Sequence, residues 1–282
     1  MGAESAPSRR ILIVDDDRAL RHALSALLTG AGHAVESAGD GPEALTLLHD
    51  RAFDIVLLDI GLPSMSGLDV LGQARAMDTP PLVIMMTADD TPHTLLESVK
   101  RQAYRYIRKP FPPNTIVDVV NEVPPAAALS FEVVSARPEW LELVAPCTLE
   151  MADRVQSFVM HLEAKLPEDI REAVAQAFRE LLMNAIEWGG KLDPNRKVRI
   201  SCVRMKRMLI YRIADPGEGF DIDGLRHAAI SNPEHDPIRH LVVREEKGLR
   251  PGGFGLAMTR SLVDELVYNE ARNEVLFVKY LE

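Results

Sequence analysis

Apolar and polar positions follow two different rhythms along this chain. In the first part, short apolar runs alternate with helical patterns. "ILIV" (11–14) ends in acids and leads into a helix with Leu20, Leu24, Leu27 and Leu28 on one stripe, stopped by Gly30. "HAVESA" reads as a second strand, and "GPEALTLLHD" as a helix with Pro42 near its start, where proline is tolerated. "DIVLLDI" (54–60) and "PLVIMMTA" are unbroken apolar runs, as expected of strands buried on both faces. "YRYIRKP" reads as the last strand, and residues 114–123 as a short closing helix. Strands alternating with helices imply parallel crossovers. The spacing predicts an α/β, doubly wound, five-stranded parallel sheet over residues 9–123, behind a disordered tail at 1–8. "VPPAAALS" breaks the pattern, and residues 124–130 are expected to be a linker.

Residues 131–282 are organised otherwise. "FEVVSARPEWLELVAP" suggests a hairpin, followed by two helices, Leu149–Leu166 and Glu168–Trp188. "KVRISCVRMKRMLIYRIADPG" reads as two strands joined by a basic turn. A polar, irregular stretch runs from Phe220 to Pro251, then a helix "LAMTRSLVDEL" and a closing strand "NEVLFVKYL". Grouped strands and helices predict an α+β two-layer sandwich.

Length agrees with two domains, since 282 residues exceed one ordinary core. A net charge of −10 argues against nucleic-acid binding, which needs a basic face. No apolar run approaches a membrane span, and the N-terminus has no signal-peptide core. Cys147 and Cys202 are far apart, without Cys or His neighbours, which disfavours a disulfide or a zinc site. Together these features predict a cytoplasmic protein.

The candidate chemistry of the first part sits at its strand ends. "VDDD" (14–17), "LLDI" (57–60), "MMTA" (85–88) and "IRKP" (107–110) each close an apolar run. In an open α/β sheet the carboxyl ends of the strands line the ligand crevice, so Asp15, Asp16, Asp59, Thr87 and Lys109 should converge there. Unpaired carboxylates repel, by ~4 kcal/mol for a pair ~4 Å apart at an effective dielectric near 20. Mg²⁺ removes that cost, and Lys109 adds a fixed cation for a phosphoryl group. Singly, each residue has a plainer role: Asp17 is a natural helix N-cap, Thr87 could end a strand, and Lys109 could be surface charge. The ordered set resists that explanation. It resembles the response-regulator receiver family (CheY-like) over residues 9–123. The resemblance implies that Asp59 accepts a phosphoryl group from an upstream histidine kinase or phosphotransfer protein. It also implies that Asp15, Asp16, Asp59 and the backbone carbonyl of Gly61 hold Mg²⁺. Lys109 would pair with the phosphoryl group, Thr87 would turn toward it, and Tyr106 would report the change by rotating inward.

In the second part, Glu180 and Asn184 lie one helical turn apart in "RELLMNAIEWGG", beside a stripe of Ile170, Val174, Ala177, Phe178, Leu181 and Ala185. A pocket wall and a solvated edge are both compatible with that position. "ADPGEGFD" (214–221) puts Asp215 at a strand end before Gly217 and Gly219, where a carboxylate could accept from an exocyclic amine and glycines let backbone approach a planar ring. "RPGGFGLAM" (250–258) is a glycine-rich loop opening a helix, a place where free N–H groups bind phosphate. In this order and spacing the three resemble the GHKL ATPases of Bergerat type, and within them the RsbW-like and SpoIIAB-like anti-sigma-factor serine kinases, over residues 131–282.

That resemblance implies ATP and Mg²⁺ as cofactors. Glu180 would be general base toward a protein serine or threonine, and Asn184 a Mg²⁺ ligand. Asp215 would read the adenine amine above Gly217 and Gly219, with Gly253 and Gly255 around phosphate and Arg250 contacting it. Residues 220–251 would form a lid. The implied partner is a STAS-type anti-anti-sigma protein or a sigma factor, and both resembled families tend to dimerise. Pro251 stands where such loops often carry glycine. Trp188 could stack on adenine or belong to the core. Glu187 stands where histidine kinases have a basic contact, and His161 lacks their phosphoacceptor context, so it reads as a helix-face residue. The implied function is a phosphorylatable regulator with a protein serine/threonine kinase output. Two alternatives remain: a module that binds ATP and sequesters a partner without catalysis, and a histidine-kinase-like protein acting in trans.

Overall fold

A computed structural model describes residues 8–88, 91–123, 131–220, 246 and 255–281. Contacts divide the chain into two compact units, residues 1–128 and 129–282. The 124–130 segment and most of the 220–251 stretch fall outside the described residues.

The first unit runs β1 (Arg10–Val14), α1 (Arg18–Gly30), β2 (Ala34–Ala38), α2 (Gly41–Asp50), β3 (Ile55–Asp59), α3 (Gly67–Arg75), β4 (Leu82–Thr87), α4 (Pro92–Lys100), β5 (Arg105–Arg108) and α5 (Pro113–Glu122). The strands pair in the order β2-β1-β3-β4-β5, all parallel. This is the five-stranded, doubly wound sheet that the alternation predicts. Its apolar runs are buried on both faces. Ile11, Ile13, Ile55, Leu57, Ile84 and Met86 pack with Leu24 and Leu28 of α1 and Ile116 and Val120 of α5. Leu12, Val14, Val56, Leu58 and Met85 are fully buried too. Asp17 caps α1, its carboxylate accepting from the N–H groups of Ala19 at 2.8 Å and Leu20 at 3.2 Å.

The second unit runs β6 (Glu132–Arg137), β7 (Trp140–Pro146), α6 (Leu149–Leu162), α7 (Glu168–Asn184), a π-helical turn (Ala185–Gly189), β8 (Lys197–Arg204), β9 (Met208–Ala214), α8 (Gly255–Leu262), β10 (Glu265–Tyr268) and β11 (Glu274–Tyr280). The sheet order is β10-β11-β9-β8-β7-β6, all antiparallel. Helices and sheet make an α+β sandwich with one apolar core. At its centre Tyr211 stacks on Phe277 with ring centroids 4.8 Å apart and meets Phe178 of α7 at 5.6 Å.

Three elements differ from the sequence pattern. The first helix of this unit stops at Leu162 rather than Leu166, because Glu163 leaves the helix to accept from Tyr211 and Arg204. The second is α-helical only to Asn184 and widens into the π turn. The helix read through "LAMTRSLVDEL" ends at Leu262, and Glu265–Tyr268 pairs with Val275–Val278 as an edge strand. A ladder partner distant in sequence overrides local helical periodicity there. No helix among the described residues is long and apolar enough to cross a membrane.

Candidate functional site

The first constellation is built by sheet geometry. β1 ends immediately before Asp15 and Asp16, β3 ends at Asp59, β4 ends at Thr87, and β5 ends immediately before Lys109. The strands are parallel, so these residues share one edge of the sheet. Oxygens of Asp15, Asp16 and Asp59 lie within 4.8 Å of one another. Asp15 is fully buried, Asp59 nearly so, and Asp16 exposed. Lys109 Nζ is 2.5 Å from Asp15 and 3.1 Å from Asp59. Its backbone N–H donates to the Thr87 carbonyl at 2.8 Å, tying the ends of β4 and β5 together. Thr87 and Tyr106 are buried. The backbone of Gly61 adjoins Asp59, with a Cβ there only 3.4 Å from Asp59 Oδ2.

Burial pushes the Asp59 carboxyl above its ordinary pKa. Lys109 pulls it back, while Asp15 and Asp16 push it further up. Lys109 is raised as well: burial alone would lower it, but the hydrogen bond to Asp15 and the charge of Asp59 win. Three carboxylates against one ammonium (−3 + 1) leave two negative charges, in a set of hard oxygen donors. That donor set fits Mg²⁺. Sequence reasoning missed Arg21, whose guanidinium donates to the carbonyls of Asp15 at 2.5 Å and Asp16 at 3.1 Å and so fixes the acid loop from α1. Its partners are backbone carbonyls, so nothing in the sequence marked it.

The second constellation lies along α7 and its π turn. Glu180 and Asn184 are half-buried on one face. Gly255, the first residue of α8, adjoins the Glu180 carboxylate so closely that a Cβ would overlap it. Gln176 Nε2 contacts Met258 Sδ at 2.9 Å, holding α8 on α7. At the far end Asp215 follows β9. Its Oδ1 accepts from Gly217 N–H at 2.7 Å, and its carboxyl rests against Gly189, where any Cβ would collide with it. Gly190 is pressed likewise against Cys147. The two glycines that look like a helix stop are therefore packing requirements. Burial raises the Asp215 pKa, opposed by the Gly217 N–H and the Arg196 charge. Gly219 has φ +85°, a conformation glycine adopts freely, and backs onto the Ala271 carbonyl.

Trp188 is 58% exposed, which removes the core alternative for it. His161 Nδ1 lies 2.6 Å from the Ser157 carbonyl of its own helix, and Glu187 is half-buried. Arg250, Gly253 and Pro251 lie outside the described residues. The structure thus strings Gly255, Glu180, Asn184, Gly189, Asp215 and Gly217 along one helix. Nine residues separate Glu180 from Gly189, ~13 Å at the helical rise. A polar group for a base thus stands at one end and a carboxylate beside a helix N-terminus at the other. Widening to a π turn is common where helices carry functional groups.

Comparison with known proteins matches both halves. The family described as response regulator receiver domain matches residues 11–121, and that described as histidine kinase-like ATPase domain matches residues 145–279. The DNA-binding response regulator MtrA of Mycolicibacterium paratuberculosis is 34% identical over 188 residues, covering 64% of this chain and 80% of that protein. MtrA of Mycolicibacterium smegmatis is 39% identical over 128 residues, and the chain spans 56% of its length. A receiver domain protein (CheY-like) from Methanospirillum hungatei JF-1 is 32% identical in its solved structure, covering 41% of this chain and 93% of that one, with a TM-score of 0.40.

Proposed function

Because the chain belongs to the response-regulator family, with a receiver domain followed by a histidine kinase-like ATPase domain, we propose that it is a phosphorylation-controlled protein serine/threonine kinase. In the receiver, an Asp59 carboxylate oxygen attacks the phosphorus of a phosphohistidine donor. The P–N bond breaks and an acyl phosphate forms on Asp59. Lys109 pairs with a phosphoryl oxygen and the Thr87 hydroxyl donates to another. In the second domain the target hydroxyl oxygen attacks the γ-phosphorus of ATP, the bond to the bridging oxygen breaks, and ADP leaves. Glu180 takes the hydroxyl proton. Mg²⁺, held by Asp15, Asp16, Asp59 and Gly61 in the receiver and by Asn184 in the other domain, would neutralise charge on the phosphoryl oxygens. Asp215, Gly217 and Gly219 receive the adenine. Trp188, exposed beside Asp215's glycine, offers a stacking face. Arg250, Gly253 and Gly255 complete the phosphate side.

One observation carries the kinase reading: Glu180 stands one turn from Asn184 and against the α8 N-terminus, which puts a proton acceptor beside the proposed phosphate side. The target is a STAS-type anti-anti-sigma protein or a sigma factor in the cytoplasm, and the phosphorylation state of Asp59 sets the rate of transfer. The test is incubation with γ-labelled Mg-ATP and cell extract, with and without a small-molecule phosphodonor, for the wild type, Glu180→Ala and Asp59→Asn. Acid-stable label on one protein, lost in Glu180→Ala and donor-dependent only when Asp59 is present, is expected. No labelled protein, or partner control unchanged in Glu180→Ala, would mean a binding module; unchanged labelling in Glu180→Ala would refute Glu180 as the base, and acid-labile label would mean a histidine kinase.

A further inference from the structure

The Asp215 turn is held by groups outside any glycine motif. Asp215 N–H donates to the Asn273 carbonyl at 2.9 Å. Asn273 Nδ2 donates to the Gly217 carbonyl at 2.9 Å, and Arg196 donates to the Pro216 carbonyl at 2.6 Å. Arg196 therefore pins the Pro216–Gly217 peptide, which carries the Gly217 N–H, and Asn273 pins the Gly217–Glu218 peptide. Between β10 and β11 the chain turns through residues 269–273, and the Ala271 carbonyl of that turn abuts Gly219.

The orientation of the Asn273 amide follows from its neighbours. Asn269 Oδ1 accepts two backbone N–H groups, from Asn273 and Glu274, each at 3.1 Å. Its amide nitrogen is thereby the end left to donate, and it donates to Asn273 Oδ1 at 2.8 Å. Asn273 must then present its own nitrogen to Gly217. The backbone of the hairpin turn thus dictates, through two amides in series, where the Gly217 carbonyl points. Gly217 N–H in turn holds Asp215 Oδ1.

We propose that Asn273 is a positioning residue for base recognition. It holds the Gly217–Glu218 peptide and so steadies the turn on which the Gly217 N–H, carried by the preceding peptide, fixes one Asp215 oxygen and leaves the other for the exocyclic amine of the purine. The inference rests on the ATP reading above. The hydrogen bond is partly buried, and its loss frees the Gly217–Glu218 peptide to swing about Gly217, which loosens the turn that aims Asp215 while the sugar and phosphate contacts do not change. Affinity for a purine nucleotide bearing the amine should fall, and affinity for one bearing a carbonyl in its place should not.

The experiment measures dissociation constants of Mg-ATP and Mg-ITP for the full chain by calorimetry, in wild type, Asn273→Ala and Asn273→Asp. Wild type should prefer ATP. Asn273→Ala should weaken ATP by about 5- to 10-fold while ITP stays within about twofold, so that the preference collapses. Asn273→Asp keeps an acceptor for Asn269 and replaces the donor to Gly217 with a carboxylate oxygen that the Gly217 carbonyl repels. It should lose the preference as well, with a folded circular-dichroism signature. A merely structural role would weaken both nucleotides together. An ATP/ITP ratio equal to wild type in both variants, or restored in Asn273→Asp, overturns the proposal. Failure of the wild type to bind ATP retires the ATP reading and this inference with it, and is told apart because it shows in wild type alone.

Discussion

Replacing Lys109 with alanine should unbalance the receiver in a way that can be calculated. The ammonium sits 2.5 Å from Asp15 and 3.1 Å from Asp59, and its side chain is 19% exposed. Without it, carboxylates whose oxygens lie within 4.8 Å of one another face each other unneutralised. At an effective dielectric near 20, a pair of unit charges ~5 Å apart repels by ~3 kcal/mol. The fold has an escape, since one carboxyl can bind a proton. Raising a carboxyl from its ordinary ~3.9 to pH 7 costs ~4 kcal/mol, which caps the damage. Removing one partner of a buried ion pair costs about 3–5 kcal/mol in general. Partial exposure of Lys109 and Asp16 places this case near the low end, ~3 kcal/mol at pH 7 in chelator.

The sign with pH follows. Asp59 already sits above its ordinary pKa and loss of Lys109 raises it further, so the deficit is complete at neutral pH. It shrinks by ~1.4 kcal/mol per unit as pH falls toward the unfolded value. Mg²⁺ should rescue the variant more than the wild type, by ~1.4 kcal/mol at ten times its dissociation constant, because no ammonium competes for the same oxygens. Urea unfolding followed by circular dichroism reads the loss. Both tryptophans, Trp140 and Trp188, belong to the second unit, so their fluorescence transition serves as an internal control and should not move. Equal midpoints for variant and wild type in chelator at pH 7, or equal Mg²⁺ shifts, would refute the charge accounting.

Gly189→Ala forces a methyl into the Asp215 carboxyl and should weaken Mg-ATP at least ~10-fold, with ~1–3 kcal/mol of overpacking strain. Gly30→Ala, with open space around the added carbon, should be neutral or stabilise by up to ~1 kcal/mol. Calorimetric titration and thermal melts of the two together separate collision from backbone entropy, and equal behaviour would count against the packing role of Gly189. Burial pushes the Cys147 thiol up to about 11 and Cys202 well up, and both are buried and unpaired to each other. Neither should react with a thiol reagent at pH 8 until urea is added, when two thiols should titrate; fast labelling of the native protein would contradict that burial.

Much of the fold was legible because its signals are local. "ILIV" and "DIVLLDI" are unbroken apolar runs, and a strand buried on both faces needs nothing else to announce it. Once those strands are parallel, topology delivers Asp15, Asp59, Thr87 and Lys109 to one edge. Arg21 was not legible, because its partners are backbone carbonyls and any sequence offers those. Edge strand β10 was hidden for a related reason: "DELVY" continues a helical period, and only the free edge of β11 makes it a strand.

In the second domain the limit is sharper. "EWGG" after α7 carries the composition of a helix stop, and a stop is what such glycines usually mean. Here each glycine is required by a side chain from elsewhere, Asp215 at Gly189 and Cys147 at Gly190. The helix does not stop at Asn184 but widens by a π turn, which shifts Gly189 relative to Glu180 by a fraction of a turn. Neither the widening nor the hairpin amides behind Asp215 has a sequence signature, since both are answers to packing between segments far apart in the chain. The chemistry-bearing residues were therefore readable, while the residues that aim them were not. That division is physical: reacting groups are restricted to a few side-chain types, but any amide, glycine or arginine can hold one of them in place.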